Sequence, residues 1–128
     1  MLKNQSLIVF LVLGLVMSFS LVSCEWEEYQ VTNLTEPVSF SSDIIPVFDQ
    51  SCNSAGCHNA GGIPPDLSPA NAWQDLIDTD MIDLNNPANS VLYVRMIDNQ
   101  SPMPLNGVLS PTVTNTVLAW IEEGAKDN

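Results

Sequence analysis

The sequence predicts an all-α fold, a small domain of about four short helices joined by long loops, and three observations predict it. Apolar residues recur three and four apart in four separate stretches beyond Phe40, the spacing that gathers them on one face of a helix. Three of these stretches carry a proline at or near their first turn, Pro46, Pro69 and Pro111, where the missing N–H costs no helical hydrogen bond. No stretch between them has a strong strand pattern, and the chain contains no internal repeat.

Residues 1–23 read as a signal peptide. Lys3 supplies the positive n-region, and Leu7 to Leu21 form an apolar run without a charge. The run is short for a spanning helix, a plain membrane anchor being the competing reading. It ends in Leu21-Val22-Ser23-Cys24, which resembles the lipobox of bacterial lipoproteins; the resemblance implies cleavage before Cys24 and acylation of its sulfur. Residues 24–39 follow as a flexible acidic tether, polar, with Pro37 and no helical period. Its start, Glu25-Trp26-Glu27-Glu28-Tyr29, resembles the export signal of surface-displayed lipoproteins in Bacteroidetes-like bacteria. That implies a lipid-anchored outer-membrane location, facing the periplasm or the outside.

The folded domain is expected over residues 40–128. Ser41, Ser42 or Asp43 is suited to cap a first helix whose apolar surface comes from Ile44, Ile45, Val47 and Phe48. This helix delivers the chain to Cys52. Gly61-Gly62-Ile63-Pro64-Pro65 must then be irregular, because paired glycines followed by paired prolines defeat both helix and ladder. A second helix starts at Ser68-Pro69 and carries Trp73, Leu76 and Ile77; a third starts at Asn89 or Ser90 and pairs Leu92 with Met96 and Tyr93 with Ile97. Ser110-Pro111 opens the last, in which Val113, Val117, Leu118, Trp120 and Ile121 form the apolar stripe and Gly124 is the stop.

The densest chemistry lies in Cys52-Asn53-Ser54-Ala55-Gly56-Cys57-His58. Two cysteines closed by an adjacent histidine are the residues that covalent haem attachment needs: each sulfur joins a haem vinyl group, and the histidine offers its imidazole to the iron. The usual signature has two residues between the cysteines, whereas four stand here, and the longer loop must bulge away from the porphyrin edge. His58 is the single histidine of the chain, so a proximal histidine ligand can be no other residue. The carbonyl of Pro64 or Pro65 is a candidate acceptor for its Nδ1. Three other readings stay open: a short-loop disulfide between Cys52 and Cys57, a zinc site, and a Cys/His nucleophile pair. Zinc is disfavoured because neighbouring Cys57 and His58 do not easily face one tetrahedral ion. The nucleophile pair suffers from the same adjacency.

Between the last two helices lies Ser101-Pro102-Met103-Pro104-Leu105-Asn106-Gly107. A methionine bracketed by prolines sits on a stiff, extended segment that presents its thioether with little loss of entropy, which suits an axial ligand. Met96 is the runner-up, but its spacing from Leu92 marks it as core; Met81 stands in an acidic loop. Leu92, Met96, Ile97 and Leu105 are candidates for pocket walls. Arg95 is either a partner for a haem propionate or a solvated arginine beside Asp98.

Fifteen acidic residues against three basic ones give a formal charge of −12. Nucleic acid is excluded as a natural partner, since phosphate recognition needs a basic face. An acidic carrier is steered instead toward a redox partner with a basic docking face, less so at high salt. The same charge is also that of a solubilising surface.

Taken in order, Asp43-Ile44-Ile45-Pro46-Val47-Phe48 leading into Cys52 and Cys57-His58, then Asp66-Leu67-Ser68, Met103-Pro104, Leu109-Ser110 and the closing Ala119-Trp120-Ile121-Glu122-Glu123-Gly124-Ala125 resemble the class I-like c-type cytochrome domains of bacterial exported proteins. The resemblance runs from Phe40 to Ala125. It implies a cytochrome c-like fold around one covalent haem c, with first and last helices crossing near Phe48 and Trp120. It implies a site of Cys52, Cys57, His58 and Met103, in which His58 and Met103 hold the metal. The expected protein is a lipid-anchored monohaem electron carrier, not an enzyme. Two alternatives stand beside it: a five-coordinate haem sensor or peroxidase-like protein, and a disulfide-stapled lipoprotein binding module without haem.

Overall fold

The computed structural model describes residues 36–128, and these form an all-α domain. The expected signal peptide, the lipidation site Cys24 and most of the tether lie outside the described residues. In chain order the elements are a π-helical turn Phe40–Ile44 continuing into α1 (Ile45–Ser51), α2 (Ala72–Asp78), a 3₁₀ turn Pro87–Asn89, α3 (Val91–Ile97) and α4 (Pro111–Glu122). Among the described residues there is no strand, and no helix long and apolar enough to cross a membrane.

The entry to α1 is wider than an α-helix, and Pro46 explains it. A proline ring meets the carbonyl four residues back and offers no N–H to it. Ahead of Pro46 the chain takes i→i−5 bonds instead, the Ile45 N–H donating to the Phe40 carbonyl. The cap falls on Ser39, two residues earlier than the first of the expected candidates. Its hydroxyl accepts from the Ser42 N–H at 3.2 Å, while Asp43 accepts from the Ser39 N–H at 2.8 Å. This reciprocal pair resembles a capping box opened by one residue. The packed chain also reaches back to Val38, which is buried and donates its N–H to the Glu123 carboxylate at 2.8 Å.

The sequence expectation for α4 is met at its cap, its stop and most of its stripe, Leu118 lying outside the core. Ser110 caps it, Pro111 fills its first position, and Val117, Trp120 and Ile121 are buried. Gly124 takes φ +100°, its N–H bonding the Ile121 carbonyl at 3.0 Å and the Ala125 N–H the Trp120 carbonyl at 2.9 Å. These two bonds are the Schellman pairing of a helix C-terminus. The reversal folds the following residues onto the domain: Trp73 and Trp120 donate their indole N–H groups to the carbonyls of Ala125 and Lys126. Asn128 then clasps the first turn, accepting from the Phe40 N–H at 2.8 Å through its side chain and from the Ser41 N–H at 2.9 Å through its backbone.

Phe40 joins the two ends of the core. Its ring stacks on Trp120 at 5.1 Å between centroids and meets Phe48 edge-on at 6.3 Å, each such pair contributing about 0.5–1.5 kcal/mol beyond its buried area. The third helix begins at Val91, with Ser90 ahead of it fully buried and its hydroxyl accepting from the Asp83 N–H at 2.9 Å. Met96 faces the core, whereas Ile97 is 40% exposed.

Candidate functional site

α1 ends at Ser51, and the chain turns tightly enough that the N–H groups of Cys52 and Asn53 both bond the Phe48 carbonyl, at 2.8 and 2.9 Å. The side chain of Asn53 then ties the turn down, donating to Asp49 at 2.6 Å and to the Leu67 carbonyl at 3.2 Å. The spacer closes through Cys57 N–H to Ser54 carbonyl at 2.9 Å, and His58 N–H returns to the Cys52 carbonyl at 3.2 Å. Four spacer residues are thereby folded into a compact bulge that leaves both cysteines facing one cavity.

Past His58 the loop doubles back. Ile63 N–H donates to the Cys57 carbonyl at 2.8 Å and Leu67 N–H to the His58 carbonyl at 2.7 Å. This return passes so close to Cys57 that a Cβ at Gly62 would collide with the Cys57 carbonyl oxygen and with Asn59; only glycine fits. Asp66 anchors the far end, its carboxylate accepting from the Ser68 N–H at 2.9 Å and the Asn71 amide at 2.8 Å. The Ser68 side chain first, then the Asn71 amide and the Ser68 N–H, hold the Asp66 carboxyl below its usual range.

The consequence falls on the imidazole of His58. Its Nδ1 lies 2.9 Å from the Ile63 carbonyl oxygen and 3.1 Å from that of Pro65. Both partners are pure acceptors, so Nδ1 carries a proton, and in the neutral ring the lone pair is on Nε2. A ring held this way has its orientation set and its Nε2 open to a further partner. Pro65 was one of the two expected acceptors and serves; Pro64 does not, and Ile63 takes the other place.

His58, Cys52, Cys57 and Met103 line a single cavity of about 500 Å³, within the range of roughly 300–1,000 Å³ common to cofactor sites. Leu67 and Leu76 wall one part of it, Leu92 and Met96 another, and Leu105, 80% exposed, stands at its edge. Of the four wall candidates read from the sequence, Ile97 is the exception: it points to solvent and takes no part in the lining. Met103 is held there by its N–H, which donates to the Arg95 carbonyl at 2.9 Å. Met81, passed over as a loop residue, also lines the cavity, because its N–H bonds the Leu76 carbonyl and its carbonyl takes the Leu92 N–H.

The thiols differ. Cys57 is exposed and Cys52 half-buried, and both are free. Burial, with a smaller contribution from Cys57, pushes the Cys52 thiol up to about 11. That is opposite to what an activated catalytic cysteine requires. Among the described residues no three of His, Cys, Asp and Glu gather as a metal-ion cluster.

The residue set fits a macrocycle bearing its own metal. Two thiols and one imidazole sit on one loop, a thioether sits on another, and the walls between them are apolar. Comparison of the chain with family models, curated proteins and solved structures returns no match.

Proposed function

We propose that this chain is a lipid-anchored monohaem c-type cytochrome that transfers single electrons. The observation that carries the reading is the meeting of Cys52, Cys57, His58 and Met103 in one apolar cavity, with the histidine Nδ1 bound to carbonyls and Nε2 left for a metal. Cys52 and Cys57 would hold the macrocycle through thioethers, each made by adding S–H across a vinyl group with no oxidant consumed. His58 and Met103 would be the two protein ligands to its iron. When bound, the haem supplies a one-electron couple, whose potential a thioether ligand raises.

The protein's part is positioning. Ile63 and Pro65 keep the imidazole in one tautomer and one orientation, and the Arg95 carbonyl holds the Met103 segment. The apolar walls give the macrocycle a surface with few competing polar groups. With His58 and Met103 both engaged by the metal, the bound group would exchange electrons without binding a substrate, the role of an electron carrier rather than an enzyme. The acid-rich chain suits a partner with a basic docking face. A lipid on Cys24 would tether the domain to the outer membrane, on either its periplasmic or its outer face.

The test is a visible spectrum of the chain co-expressed with a c-type haem maturation system, oxidised and reduced, before and after denaturing extraction. Retained haem with a low-spin reduced spectrum is the expected result. Met103 is 38% exposed, and that exposure favours a second reading, a five-coordinate haem sensor or peroxidase-like protein. A high-spin spectrum that changes with carbon monoxide would select it. A mature chain without haem whose mass shows two hydrogens lost would leave a disulfide-stapled binding module.

A further inference from the structure

We infer that Asn106 is a self-modification site: its side-chain amide condenses with the backbone nitrogen of Gly107, and the ring so formed opens to leave a carboxylate on the cavity wall. Asn106-Gly107 is the one Asn-Gly pair of the sequence. In the first step the Gly107 nitrogen, losing its proton, attacks the side-chain carbonyl carbon of Asn106; a C–N bond forms and ammonia leaves with that proton. Water then opens the succinimide at either carbonyl, giving aspartate or isoaspartate without oxidant, reductant or enzyme. Glycine at the attacking position has no Cβ to obstruct closure and allows the backbone rotations that closure needs.

The fold leaves both reacting groups accessible. Asn106 is exposed, and among the described residues its side chain makes no hydrogen bond. Other asparagines are committed. Asn53 and Asn71 donate to the carboxylates of Asp49 and Asp66, and Asn59 accepts the Gly56 N–H. Asn115 lies within α4 and is followed by Thr116, whose branched Cβ crowds the approach. Gly107 takes φ +135°, and nothing stands within 4 Å of the place its Cβ would occupy, so no neighbour blocks the amide. The opposing contact is the bond from the Gly107 N–H to the Pro104 carbonyl, which at 3.2 Å lies at the long end of the hydrogen-bond range.

The position of the product gives it a consequence. Asn106 lines the cavity, whose lining holds Arg95 but not one Asp or Glu. Conversion places the first carboxylate in that wall, on the loop that carries Met103. Isoaspartate also routes the main chain through the side-chain carbon, lengthening the segment between Met103 and α4.

The experiment incubates the purified full chain, folded and in denaturing urea, side by side at mildly alkaline pH. The peptide between Arg95 and Lys126 is then followed by fragment mass spectrometry. The folded chain is expected to exchange NH for O at Asn106 within about tenfold of the unfolded rate, a barrier difference below about 1.4 kcal/mol. Asn115, in the same peptide, should keep its amide in the folded chain. Isoaspartate should appear beside aspartate in an isoaspartyl methyltransferase assay. Asn106→Gln, which keeps the polarity but must close a larger ring, should lose the signal at this position. A folded chain that loses the Asn106 amide more slowly than that, or not at all, overturns the assignment, as does an isoaspartate signal undiminished in Asn106→Gln. The reaction needs no bound group, so its failure leaves the haem reading standing.

Discussion

The Nδ1 of His58 lies 2.9 Å from the carbonyl oxygen of Ile63, five residues along the chain, and this pair sets what the imidazole can do. The bond commits the ring proton to Nδ1 and so the lone pair to Nε2. It exists because the loop between the two residues returns on itself at Gly62.

Gly62→Ala is therefore expected to disturb the imidazole and not merely the loop. Its Cβ has no room beside the Cys57 carbonyl, and overpacking of this kind costs about 1–3 kcal/mol. Matured protein should keep its thioethers yet show a reduced low-spin fraction. A Gly62→Ala protein with a wild-type reduced spectrum would separate the loop geometry from ligation.

Under the proposed haem ligation, Met103→Ala is expected to turn the low-spin protein high-spin and to lower its reduction potential, because a thioether that would favour ferrous iron is gone. Stability should change little, since Met103 lies at the edge of the cavity and not in the core. Met96→Leu is the control: Met96 is buried at 3% exposure, and a volume-conserving swap there should cost less than about 1.5 kcal/mol and leave the spectrum alone. Reversal of these two spectral outcomes would transfer the ligand role to Met96.

The haem-free chain should lose stability as pH rises from 9 to 11. The thiol of Cys52 has its ordinary value of 9.0 when unfolded and is pushed up to about 11 when folded. Below pH 9 both states keep the proton, so the full stability is present. Above it only the unfolded state ionises, which draws the chain toward unfolding until the folded value is passed. The loss is on the order of 2 kcal/mol, each unit being worth about 1.4 kcal/mol. Urea midpoints measured across this range should fall in the wild type and fall less in Cys52→Ala; equal slopes would mean that the thiol is not desolvated.

Trp120→Ala is expected to be the most damaging single change outside the site, at about 3–5 kcal/mol by urea denaturation. It removes the stacking partner of Phe40 and leaves the Lys126 carbonyl without its indole donor. Gly124→Ala should cost less, about 1–2 kcal/mol, because open space surrounds the position and only its positive φ is strained.

Much of the scaffold was readable because its signals are local. Ser110-Pro111 and Gly124 mark the two ends of α4 through a cap, a fixed φ and a left-handed stop, none of which needs a distant residue. The cap fell on Ser39, earlier than the expected candidates, because a π-helical turn precedes α1 and Pro46 acts backwards on it. Helical spacing alone could not orient Ile97, whose partner at Tyr93 is only half-buried while Ile97 itself faces water.

The sequence by itself determined the all-α class, the residue types at Cys52, Cys57, His58 and Met103, and the acidic charge, since these follow from period, identity and count. The tertiary structure decided the rest. The carbonyl that seats His58, the entry of Met81 and Arg95 into the cavity wall and the bond from Met103 to Arg95 all join residues through backbone groups or across separate elements. Backbone carbonyls are the same at every position, so no side-chain pattern announces which of them a loop will turn inward; that is decided only when the elements pack.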